Sequence, residues 1–149
     1  MTRPQVSRVR PAGDTHEVVT VTGGTSGYRR RPCPSCPWRV DQTGLFPPEA
    51  FVHSAETAYD LAGNTFGCHA AGTDRVVTCA GFLLRGAEHN LAVRVGCARG
   101  TINPARITDG GYELHRGYRA MAVANGLDPD HPRLAPCRDH KGGTDGCGI

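Results

Sequence analysis

Tyr28-Arg-Arg-Arg-Pro-Cys33-Pro-Ser-Cys36-Pro-Trp-Arg39 is the stretch on which the reading of this chain turns. Pro32, Pro34 and Pro37 stand too close together for a regular helix, because each removes a backbone donor and fixes φ. A rigid loop is expected. Cys33 and Cys36 are separated by two residues, the spacing at which a tight turn can aim both sulfurs at one ion. Two sulfurs do not close such a site, so partners must come from further along. Cys68 follows after 31 intervening residues and Cys79 after ten more.

The segments between these cysteines suggest how they could meet. Pro47-Pro48-Glu49 marks a helix start, since proline is tolerated in the first turn and Glu49 suits the positive end of the helix dipole. Phe51, Ala55 and Ala58 or Tyr59 then give a buried face, with Gly63-Asn64 as the stop. The chain from Thr65 to Thr78 is short and irregular. A second helix is expected from about Cys79 through Leu84, with Asn90 to Val95 as its continuation or as a separate helix. A helical hairpin of this kind returns Cys68 and Cys79 to one end. Four thiolates closing around one ion need only that convergence. The bland alternative is that Cys68 and Cys79 are small buried side chains, which free cysteine resembles.

Outward from this core the chain is simpler. Glu17-Val-Val-Thr-Val-Thr22 is rich in β-branched residues and reads as a short strand, stopped by Gly23-Gly24. Tyr112, Leu114, Tyr118, Met121 and Ala122 recur at near-helical spacing, with Asn125-Gly126 as a C-terminal stop, and predict a last helix. The expected architecture is mainly α with a short N-terminal β strand or hairpin. It is a small, loop-rich single domain organised around a four-cysteine metal centre. Residues 1–16 are read as a disordered tail, 17–126 as the four-cysteine metal-binding domain, and 127–149 as a loose C-terminal tail.

Composition supports help from something other than packing. The 149 residues include 20 Gly and 11 Pro against 6% aromatic residues, so little apolar surface is available per residue. Seven cysteines could supply the missing stability as disulfides or as metal ligands. Residues 1–13 carry Arg3, Arg8 and Arg10 but no apolar run of roughly 7–15 residues, which argues against a secretory signal. No stretch approaches the roughly 18 apolar residues of a membrane span. A cytoplasmic location, with metal-binding or redox-active thiols, is therefore expected.

The Pro32-to-Arg39 string, followed by Phe46-Pro-Pro-Glu-Ala-Phe51, Phe66-Gly-Cys-His69 and Cys79-Ala-Gly-Phe-Leu83, resembles an uncharacterised cysteine-rich domain family of actinobacteria and their phages. The resemblance covers residues 28–126. What it implies is a shared four-cysteine core, with no activity attached.

For the ion, zinc is preferred, since it would tie the ends of a loop-rich fold directly. A 4Fe-4S cluster is the alternative, because Pro37 offers no N–H after Cys36 and proline follows ligand cysteines in ferredoxin-type runs. Trp38 is a candidate to support the centre without ligating it, and His69 either does the same or substitutes for one cysteine. Cys97, Cys137, His140 and Cys147 could form part of a second site.

No single function follows from these features. The net charge of +3 is the sum of +5 over residues 1–39 and −2 beyond, so the basic part is the front. Arg29, Arg30, Arg31 and Arg39 are candidate contacts to nucleic acid or an acidic protein. The leading expectation is a binding or regulatory module, with an iron–sulfur redox or sensor protein as an alternative. A thiol–disulfide oxidoreductase using Cys33 and Cys36 is a third class, although it requires a helix beginning at the first cysteine. No GxxxxGK loop, GxSxG elbow or HExxH pair points to hydrolase or transferase chemistry. His16, His53, His89, His115 and His131 share no spacing that joins them.

Overall fold

The computed structural model describes residues 5–12, 16–22, 27–68 and 77–137. Two strands, β1 (Gln5–Ala12) and β2 (His16–Thr22), form an antiparallel hairpin. Four short helices follow: α1 (Pro48–Ser54), α2 (Ala80–Arg85), α3 (Leu91–Ala98) and α4 (Tyr118–Ala124). The rest of the described chain is largely loops with single turns of 3₁₀ helix, such as Val40–Gln42 and Ala55–Ala58. The mainly helical, loop-rich expectation therefore holds, and the N-terminal β element is a hairpin.

Local sequence explains three of the helix ends, while α1 stops at Ser54 and gives way to the 3₁₀ turn Ala55–Ala58, short of the stop expected at Gly63-Asn64. Pro48 occupies the first turn of α1, where its missing N–H costs nothing, and Glu49 lies beside it. Asn90 caps α3 by accepting from the Val93 N–H. Gly126, at φ +102°, takes the left-handed turn after α4 that an L side chain resists.

Three expectations are corrected. Residues 5–12, expected within a tail, pair with β2 from Gln5↔Thr22 to Ala12↔His16. A register shift between Val6 and Arg8 removes the strict period-2 pattern that would have announced this strand. Pro11 sits near the end of an edge strand, where it is tolerated. The hairpin is fastened to α1: Arg10 donates to the His53 carbonyl (3.1 Å) and the Glu56 carboxylate (3.2 Å).

The second correction concerns the last helix. It begins only at Tyr118, because Gly117 is fully extended and residues 113–115 pair with residues 38–40 instead. Tyr112 and Leu114 thus stand at strand spacing, two apart, ahead of the helix. The third concerns the C-terminal tail. Residues 127–137 are packed, with Leu127, Leu134 and Cys137 buried and Arg119 donating to the carbonyls of Leu134 and Cys137. Residues 138–149 lie outside the described residues.

The core centres on Trp38, which is fully buried. Phe66, Phe82 and Tyr118 surround its ring at centroid separations of 5.8, 6.4 and 6.0 Å, two of them edge-on. Such tilted contacts match the ring quadrupoles. Tyr118 in turn bonds the Phe51 carbonyl and Ser54 hydroxyl, both at 2.6 Å, tying α4 to α1.

Candidate four-cysteine site

The sulfurs are delivered by two separate devices. The first is a small register of three extended segments. Thr78 bridges Gly67 in antiparallel fashion and Tyr28 in parallel fashion, and Arg29 N–H donates to the Thr78 carbonyl at 2.9 Å. Residues flanking bridged pairs point to the opposite face from the pairs themselves. Arg29, Cys68 and Cys79 therefore share one face of this ribbon. Cross-bonds from Cys68 N–H to the Val77 carbonyl (2.7 Å) and from Cys79 N–H to the Phe66 carbonyl (2.9 Å) hold them there.

The second device is the Cys33-to-Arg39 turn. Cys36 N–H bonds the Cys33 carbonyl and Arg39 N–H bonds the Cys36 carbonyl, both at 3.1 Å, so two consecutive turns fold the motif on itself. Arg39 then clamps it, with Nη1 donating to the carbonyls of Cys33 (3.3 Å) and Pro34 (3.0 Å). The same guanidinium forks onto Asp41 at 2.8 and 2.6 Å and lies 3.6 Å over the Tyr112 ring. That pairing holds the Asp41 carboxyl below its ordinary range. Asp41 and Tyr112 carry no signal in the sequence that would have joined them to the motif.

The two devices meet at the cysteines. Cys33, Cys36, Cys68 and Cys79 are all buried, none more than 4% exposed. The sulfurs of Cys36 and Cys79 lie 3.5 Å apart. Arg29 Nε donates to Cys68 Sγ at 2.9 Å, and the guanidinium interacts electrostatically with Cys68, Cys33 and Cys79. At Cys36, hydrogen bonding with Cys33 favours the thiolate. The bond to Cys79, burial and the Cys79 charge oppose it and together raise the thiol well above its ordinary range. A smaller effect on the thiolate side comes from the Trp38 backbone N–H, which bonds Cys36. The amide that Pro37 lacks is thus supplied one residue later.

A model of a family of unknown function, DUF6283, matches residues 28–138, most of the chain and the whole of this cysteine cluster. The chain belongs to this family. No curated protein and no solved structure matches the chain. The DUF6283 region opens at Tyr28, the residue that bridges Thr78. It also extends past the predicted domain end at 126 to include the packed segment 127–137.

Among the described residues, no group of three or more His, Cys, Asp or Glu side chains is arranged as the ligands of a metal ion. Cys33, Cys36, Cys68 and Cys79 of the DUF6283 region are buried and carry no disulfide bond.

Of the other candidates, Trp38 adjoins the site through its backbone, while its indole ring belongs to the core. Its Nε1 is buried without a hydrogen-bond partner among the described residues. His69 lies outside the described residues. Arg29 and Arg39 are engaged within the DUF6283 domain, and only Arg30 and Arg31 of the predicted basic contacts are exposed. Of the second-site residues, Cys97 is disulfide-bonded, and Cys137 is buried with its thiol donating to the Ala55 carbonyl at 3.7 Å. His140 and Cys147 lie outside the described residues. No helix begins at Cys33, so the feature that lowers the pKa of an oxidoreductase cysteine is missing.

Proposed function

We propose that Cys33, Cys36, Cys68 and Cys79 hold one zinc ion, and that the protein is a metal-stabilised binding or regulatory module. The observation that carries this reading is the contact between the turn and the ribbon at their cysteines: Cys33, Cys36, Cys68 and Cys79 are all buried, and the Cys36 and Cys79 sulfurs lie 3.5 Å apart. That separation is far beyond a disulfide bond of about 2.05 Å. It is close to the edge of about 3.8 Å expected of a sulfur tetrahedron around zinc, where Zn–S is about 2.3 Å. Zinc binding would displace thiol protons and draw the four sulfurs into one coordination shell. The N–H groups of Trp38 and Arg29 already face two of those sulfurs.

A metal role also fits the composition. The fold is loop-rich, and one ion would tie the residue 33–36 turn to the ribbon that carries Cys68 and Cys79. Binding is the proposed use because the basic front leaves Arg30 and Arg31 exposed, suited to nucleic acid or an acidic protein. The motif resemblance to a cysteine-rich family of actinobacteria and phages belongs to this same reading.

The test is anaerobic purification followed by visible absorption and elemental analysis of the wild type and of Cys36→Ser and Cys79→Ser. About one zinc per chain is expected in the wild type, and none in either variant. Iron and acid-labile sulfide in a brown protein would replace zinc with a cluster. A folded wild type containing no metal, or variants retaining the wild-type content, would overturn the assignment.

A further inference from the structure

Four thiolates on a divalent cation leave a net charge of two minus in a place shut off from water. Burying charge without compensation is costly, so such a site gains from a cation or directed N–H donors at its sulfurs. One side chain supplies both. Arg29 is placed by backbone pairing, not by a flexible loop: its N–H bonds the Thr78 carbonyl at 2.9 Å, and the Thr78 N–H bonds the Gly27 carbonyl at 3.0 Å. This register sets Arg29 on the same face as Cys68 and Cys79, and its Nε reaches Cys68 Sγ at 2.9 Å.

Resting on the metal reading above, we propose that Arg29 is a positioning residue of the four-cysteine centre, the built-in counter-cation whose Nε–H holds Cys68 sulfur as a ligand. The sequence alone groups Arg29 with Arg30 and Arg31 as a solvent-facing basic run. The ribbon separates them: Arg29 turns in to the sulfurs, and Arg30 and Arg31 turn out. The planar guanidinium gives a directed donor that a lysine ammonium does not reproduce.

The experiment is titration of the full-length, reduced protein with cobalt(II), in competition with a chelator, for wild type, Arg29→Gln, Arg29→Lys and Arg30→Gln. Thiolate-to-cobalt absorption reports the sulfur ligands independently of any activity. The expected result is roughly 10- to 100-fold weaker binding in Arg29→Gln, the range for removing a group that supports a ligand. At saturation the thiolate absorption should match wild type, with Arg29→Lys intermediate and Arg30→Gln unchanged. An affinity for Arg29→Gln indistinguishable from wild type would overturn the proposal by making Arg29 dispensable, and an equal loss in Arg30→Gln would overturn it by making the cation generic. A wild type that takes up cobalt without thiolate absorption, or takes up none, would overturn the metal reading itself and the role of Arg29 with it.

Discussion

At Trp38 the packing leaves no slack. A Cβ on Gly81 would stand 2.4 Å from Trp38 Cβ and 2.8 Å from its Cγ, and one on Gly86 would stand 2.3 Å from Cη2. Both glycines are there so that α2 can lie directly on the indole, which in turn fixes where Cys79 begins that helix. Gly81→Ala is therefore expected to destabilise the protein by about 1–3 kcal/mol, the usual cost of overpacking a full core. Gly63→Ala serves as the control, since nothing lies within 4 Å of its added Cβ. Urea denaturation of both variants measures this, and equal midpoints would show that the contact between α2 and Trp38 tolerates a methyl group. Arg39 shows the same dependence on close neighbours from the polar side. It reads in sequence as surface charge, yet it is 7% exposed and directs its donors to the Cys33 and Pro34 carbonyls and to Asp41.

Between elements, Asn90 joins three segments at once. Its side-chain oxygen caps α3 through Val93 N–H at 3.0 Å, while its amide nitrogen donates to the carbonyls of Thr57 (3.0 Å) and Asn64 (2.7 Å). The residue is fully buried, so these carbonyls have no ready substitute in water. Asn90→Ala should cost about 2–4 kcal/mol, combining a lost cap with newly unsatisfied buried acceptors. Asn90→Asp keeps the cap oxygen but sets a carboxylate against two carbonyls, and is expected to be no more stable than the alanine variant. Chemical denaturation of the pair checks this. An aspartate variant close to wild type would show that the cap alone matters. The four helices are six to eight residues long, too short to persist on propensity, so such inter-element bonds decide whether they form.

For the molecule as a whole, the hairpin lies ahead of the DUF6283 region and is joined to it by polar contacts. β1 and β2 precede residue 28, where the family region begins. Contacts of the described hairpin residues to α1 and the following turn include Arg10 with His53 and Glu56, and the Pro11 carbonyl with His53 Nε2 at 3.1 Å. Deleting residues 1–26 should lower stability by about 1–3 kcal/mol, the scale of one or two lost charge-assisted bonds. The aromatic packing around Trp38 should survive, read by its near-ultraviolet circular dichroism. Loss of that signal would show that the hairpin is part of the core, not an addition to it.

The sequence by itself determined part of the punctuation: proline set where α1 starts, glycine set where the last helix stops, and two-residue spacing set the Cys33 and Cys36 turn. It also offered Cys68 and Cys79 as companions to that turn, through a helical hairpin, whereas bridged extended segments at Tyr28, Gly67 and Thr78 are what carry them. It could not show the ribbon of Tyr28, Gly67 and Thr78. Bridges of single residue pairs leave no periodicity, and two of the three residues that share its face, Cys68 and Cys79, are separated in the sequence by ten residues. For the same reason Arg29 and Arg39 looked like free charge. A side chain's partner is a matter of which backbones lie side by side, and only the tertiary structure decided that Arg29 faces sulfur while Arg30 faces water.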